Sequence, residues 1–187
     1  IMERGGGIIN TVRATREAST EELIAKTERY IDIMSQMGVT TVEGKSGYGL
    51  DMDTELKQLE VMKAINDNPH RKVDISTTFL GAHAVPTEYK GREDEYIDFL
   101  IDKMLPIVQE RGLAEHCDIF CEKGVFTVEQ SRRLLQAAKE KGFGVKIHAD
   151  EIVSFGGAEL AGELQALSAD HLLHASDAGI QAMADND

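Results

Sequence analysis

Hydrophobic and polar positions alternate along the chain between two periods. Short β-rich runs fall at Gly38–Gly44, Val73–Ala82, Cys117–Glu122, Gly144–Ala149 and Ala169–Leu173. Between them, Thr20–Met37, Thr54–Asn66, Glu93–Arg111, Val128–Lys141 and Gly156–Leu167 carry apolar residues at helical spacing, as in Tyr96, Phe99, Leu100 and Met104 with Ile107 beyond. Ser19-Thr-Glu-Glu22 and Thr127-Val-Glu-Gln130 have the capping-box form, a hydroxyl followed three residues later by a carboxylate or amide. Gly38, Gly112 and Gly142 stand just past helical runs, as C-terminal stops do. Pro106 lies inside the third helical run and predicts a kink there.

Strands alternating with helices predict an α/β fold with a parallel sheet and helices outside it. The right-handed crossover rule leaves a doubly wound open sheet or a (β/α)8 barrel. A full barrel takes about 250 residues and eight units. At 187 residues this chain supplies five strands, so it predicts either an open sheet or part of a barrel. No repeat, low-complexity segment or linker divides it, and residues 1–187 are read as one domain.

Composition narrows the partners. With 42% hydrophobic and 28% charged residues the chain is an ordinary globular one. A net charge of -13 leaves no basic face to neutralise phosphates, which excludes nucleic acid. The apolar runs, such as Ile31–Met34, are too short to span a bilayer, and Ile1–Asn10 has no apolar signal-peptide core. Cys117 and Cys121, placed on one strand, would sit roughly 13 Å apart, too far for a disulfide. Reduced, core-filling cysteines fit a cytoplasmic protein.

Chemistry concentrates at the carboxyl ends of the predicted strands, where α/β proteins bind ligands. The ends read Glu43-Gly-Lys-Ser-Gly-Tyr48-Gly, Leu80-Gly-Ala-His83, Phe120-Cys-Glu122, Lys146-Ile-His148-Ala-Asp-Glu151 and Ala169-Asp-His171. Taken singly, each has a plain structural explanation: a hydrogen-bonded histidine, a glycine turn, a carboxylate at a helix N-terminus. Three histidines on three strand ends, one followed three residues later by Glu151, point instead to metal-assisted hydrolysis. Imidazole holds zinc or iron, the ion acidifies a water, and a neighbouring glutamate moves protons. The sequence has no His-x-His pair, although a catalytic zinc generally takes three protein ligands.

Gly5-Gly-Gly-Ile8, Ala14-Thr-Arg16, Lys45-Ser-Gly-Tyr-Gly-Leu50, Thr78-Phe-Leu-Gly-Ala-His83, Phe120-Cys-Glu122, Lys146-Ile-His-Ala-Asp-Glu151 and Ser168-Ala-Asp-His-Leu172 together resemble the imidazolonepropionases, in order and over essentially the whole chain. The resemblance implies part of a (β/α)8 barrel, about five βα units, without the first and last strands or the family's small β-domain. It implies hydrolytic ring opening of 4-imidazolone-5-propanoate to N-formimidoyl-L-glutamate in histidine degradation. By position, His148 matches the family's metal ligand, Glu151 its acid/base, and His171 the histidine that contacts the attacking water. Tyr48, His83 and Glu151 match residues that contact the substrate. One zinc or iron ion is implied, its other ligands lying outside this chain, and a homodimer for the intact protein. The segment alone is therefore expected to be inactive, and to self-associate through open sheet edges or fold loosely. Lys45 suggests the carbamylated lysine of binuclear relatives only weakly, since this family uses one metal. Gly44, where a larger apolar residue is expected, should weaken strand packing slightly. Two other readings remain: a different amidohydrolase such as a deaminase, and a non-catalytic α/β fragment.

Overall fold

The computed structural model describes residues 8–186; the glycine block at Gly5–Gly7 lies outside them. Two helices, α1 (Ile8–Glu17) and α2 (Thr20–Gln36), lead into strand β1 (Thr41–Lys45) and helix α3 (Met52–Asp67). Strand β2 (Asp74–Ala82) is followed by α4 (Glu93–Phe99), a π-helical segment Leu100–Met104, and α5 (Leu105–Glu110). Then come β3 (His116–Cys121), α6 (Val128–Glu140), β4 (Gly144–Ala149), α7 (Gly157–Glu163), β5 (Ser168–His171) and α8 (Asp177–Ala184).

The strands lie side by side in chain order, β1-β2-β3-β4-β5, and every pairing is parallel. A doubly wound sheet reverses its order at a switch point. This sheet never does, and it curls as a half-barrel. Among the described residues β1 and β5 each pair on one side only.

Period-two alternation sorts the strand residues. Ile75, Phe79, Cys117, Ile119, Cys121, Val145 and Ile147 are buried in one core with Leu59, Met62, Leu100, Met104, Leu105, Leu134, Leu135 and Leu160 from the surrounding helices. Each large side chain buried there contributes about 1.5–3 kcal/mol. The intervening positions, among them Lys45, Asp118, His148 and Asp170, share the opposite face, where their side chains meet. Both cysteines are buried and free. Burial pushes both thiols up, Cys121 to about 11, so they act as packing groups.

The capping boxes at Ser19 and Thr127 both form. Helix α3 starts two residues before its predicted start because the Asp51 side chain accepts from Thr54 N and caps it. The third helical run is interrupted as Pro106 requires, though by a widened turn. Proline offers no N–H to the carbonyl of Asp102, and the ring crowds it. The chain accommodates this with a π turn in which Leu105 N donates to Leu100 O, five residues back. Strand β1 is shorter at its start than Gly38–Gly44, since Gly38 (φ 88°) closes α2 and Val39 N donates to Met34 O. Strand β5 ends at His171 because His171 and Leu172 take left-handed φ values of 72° and 57°. The expected weakness at Gly44 is not found. A Cβ there would run into Met62 Sδ and lie 2.7 Å from Ile75 Cγ2, so the glycine lets α3 close onto β1.

Candidate active site and metal group

Tyr48 and Glu151 reach the site on turns that buried carboxylates hold. After β1 the segment Ser46–Leu50 folds over the carboxylate of Glu55, in the first turn of α3. Glu55 accepts from Gly47 N (2.9 Å), Gly49 N (2.7 Å) and Leu50 N (2.9 Å), and is buried. Burial raises its pKa, while these amides and the Ser46 hydroxyl work the other way. Tyr48 stands between two of the pinned residues. At the end of β2, His83 Nδ1 lies 3.0 Å from Gly47 O. A carbonyl only accepts, so Nδ1 carries the proton and Nε2 is left available. Burial, reinforced by His148, lowers the His83 pKa, and the ring is neutral at neutral pH.

The turn after β4 is held from two sides. Asp150 (φ 50°) is buried and accepts from Phe155 N, Gly156 N, Gly157 N and Ala158 N, gathering the N-terminus of α7. Glu122, at the end of β3, is buried and accepts from Ile152 N (2.8 Å). These two carboxylates of the sequence motifs thus serve the backbone, and Glu151 between their anchor points is left to the cavity. A non-glycine residue at left-handed φ is uncommon and clusters at functional sites; here Asp150 and His171 both adopt it beside the site.

All five predicted residues, Tyr48, His83, His148, Glu151 and His171, line one cavity of about 450 Å³, with Phe120 on its wall. Ring centroids are 5.1 Å apart for Tyr48–His83, 5.8 Å for His83–His148 and 5.2 Å for His148–His171. His171 Nε2 is 3.6 Å from Glu151 Oε2. A larger cavity of about 510 Å³ runs between α2, α3 and β1; it carries Lys26, Glu43, Lys45 and Gln58 beside its apolar lining but none of the histidines at the strand ends. Convergent polar groups, not size, mark a reaction site, and the smaller cavity has them.

Beneath His148 lies a charged layer that the sequence reading missed. Asp118 is fully buried on β3, and Lys45 Nζ bridges its Oδ2 (2.7 Å) to Asp170 Oδ2 (2.9 Å). Burial works against both ions. Even so, the pair of aspartates holds the Lys45 pKa above its usual value, and His148 with Lys45 holds Asp118 below its own. His148 Nδ1 is 3.0 Å from Asp118 Oδ2 but off the line of an aligned hydrogen bond, and the buried nitrogen has no other partner. Asp118, His148 and Asp170 each offer a ligand atom within 4.8 Å of the others, which makes them a candidate metal-binding group. A signal for Asp118 was present in the sequence, as a carboxylate in the middle of an otherwise apolar strand. Glu55 gave none.

The chain is 77% identical over 186 residues to a Phocaeicola vulgatus protein named imidazolonepropionase, covering 100% of this chain and 45% of that protein. It is 69% identical over 185 residues to a Bacteroides thetaiotaomicron protein of the same name, and 61% identical over 185 residues to one from Clostridium tetani. Each of those alignments covers 99% of this chain and 44% of the relative. Over its whole length the chain resembles imidazolonepropionases. It spans less than half the length of these relatives. No family model matches the chain. The resemblance and the half-barrel agree with the family and fold expected from the sequence. Among the described residues no helix is long and apolar enough to cross a membrane.

Proposed function

We propose that the whole protein is a metal-dependent hydrolase that opens the ring of 4-imidazolone-5-propanoate to give N-formimidoyl-L-glutamate, and that residues 1–187 are part of its single catalytic barrel domain. The observation that carries this reading is the convergence of Tyr48, His83, His148, Glu151 and His171 on one cavity at the carboxyl ends of the strands. The resemblance to relatives bearing the imidazolonepropionase name supports it.

The residues present fit a metal ion. His148 has a buried ring nitrogen without an aligned partner, facing two aspartates, and imidazole with carboxylate is a donor set that zinc and iron both accept. With Asp118 and Asp170 facing Nδ1 and orienting the ring, His148 would be this chain's ligand through its other ring nitrogen. A bound ion supplies Lewis acidity toward a carbonyl and acidifies water. The remaining roles belong to side chains. Ring opening adds water across a C–N bond: the oxygen bonds to carbon, and the departing nitrogen needs a proton. Glu151, beside His171, takes the proton from water and delivers it to that nitrogen. His171 orients the water. Neutral His83 and Tyr48 hold the imidazolone and its propanoate arm by hydrogen bonds.

Incubating the metal-loaded whole protein with 4-imidazolone-5-propanoate and following N-formimidoyl-L-glutamate by mass spectrometry tests the reading. Absence of that product under conditions where metal is bound would overturn it. His148→Ala should lose most of the metal by elemental analysis; stoichiometric retention would remove His148 from the ligand set. Tyr48→Phe and His83→Ala should raise KM with metal content unchanged, by about tenfold for each lost polar contact to substrate. Unaltered KM and kcat in both would leave the two residues with structural roles only.

A further inference from the structure

We infer that Glu55 is a positioning residue: its buried carboxylate sets the geometry of the substrate-binding pair Tyr48 and His83, which it does not itself touch. The inference rests on the reading of that pair given above. Three observations carry it. The two oxygens of Glu55 hold the amides of Gly47, Gly49 and Leu50, so both neighbours of Tyr48 in the chain are tied to one group. Gly47, at φ +104°, turns its carbonyl to His83 Nδ1 at 3.0 Å, so the same anchored turn fixes the second ring. The turn has no slack: a Cβ on Gly47 would lie 2.8 Å from Leu80 O, and one on Gly49 2.7 Å from Glu55 N.

Glu55 is barely accessible, and the three backbone amides aimed at it are all donors. A glutamine in its place keeps the shape but turns an NH2 toward at least one of those N–H groups, which cannot accept it. An unsatisfied buried donor moves toward another partner, and a misplacement of about 1 Å at a binding group costs up to about 10²-fold in efficiency. Since Glu55 is remote from His148 and Glu151 in the bonding pattern, the loss should fall on substrate binding and spare the metal.

Glu55→Gln in the whole protein should raise KM about 10- to 100-fold with kcat and metal content much less affected, and should speed amide exchange at Gly47, Gly49 and Leu50. A double-mutant cycle with Tyr48→Phe should show coupling, because loss of the anchor already removes much of what Tyr48 contributes. Gly47→Ala offers a second route that leaves Glu55 intact: it strains the same turn and should raise KM alike, which keeps the inference testable if Glu55→Gln folds poorly. No turnover by the unmodified protein would overturn the functional reading. Unchanged amide exchange in Glu55→Gln, or KM values at the wild-type level in both variants of an active protein, would overturn the role of Glu55.

Discussion

Glu151→Gln should lower turnover of the whole protein by about 10²–10⁴-fold, the usual contribution of a general acid/base, while the metal stays bound. The substitution keeps the side chain's length and removes its ability to take and release a proton. Its effect should stay local because the turn around residue 151 is fixed by other groups. Asp150 gathers the amides of residues 155–158 and Glu122 holds Ile152 N, and neither bond involves the Glu151 side chain. His171 Nε2 lies 3.6 Å from Glu151 Oε2, too far for a strong direct bond, so a water or substrate atom can stand between them. Steady-state kinetics and elemental analysis on the same sample measure both halves of the expectation. A rate within about threefold of wild type would take the proton-transfer role away from Glu151.

What could be read from the sequence divides along a physical line. Periodicity and caps are local, and they gave the five strands, five helices and both capping boxes. That the five candidate residues share one cavity was legible because polar groups at consecutive strand ends in a parallel sheet have one place to go, while the roles proposed for them come from the resemblance. Contacts remote in sequence were not legible. Helix α1 is rich in β-branched residues and escaped notice, and its last carbonyls are met by Lys57 Nζ, which bonds Thr15 O, Arg16 O and Ala18 O from another helix. Glu55 in the first turn of α3 looks like any acid favoured by a helix N-terminus; only the folded turn above it shows that it is buried. Asp150 and Glu122 stood in the motifs as possible chemical groups, and backbone amides claim them instead. Asp118 could have been found: Cys117, Ile119 and Cys121 alternate to one face of β3, which sends Asp118 and Phe120 to the other.

Lys45→Met should destabilise the metal-free protein by about 3–5 kcal/mol, the cost of stranding a buried charge by removing its partner. The layer under His148 is not symmetric in this respect. Asp170 is partly exposed and can be hydrated, and Glu43 retains Lys146 Nζ at 3.0 Å. Asp118 is fully buried and would keep only the misaligned His148 Nδ1. The depressed pKa of Asp118 contributes stability above its unfolded value of about 3.9, lost as pH falls through the folded value. The raised pKa of Lys45 contributes below its unfolded value of about 10.4, lost as pH rises through the folded value. The difference between wild type and variant should therefore be present in urea unfolding at pH 7, where Lys45 and Asp118 both carry their charges. Adding Asp118→Asn should recover most of the loss, because the stranded charge is then gone. A Lys45→Met protein as stable as wild type, without metal and at pH 7, would show that the Lys45–Asp118 pair does not hold the barrel interior together.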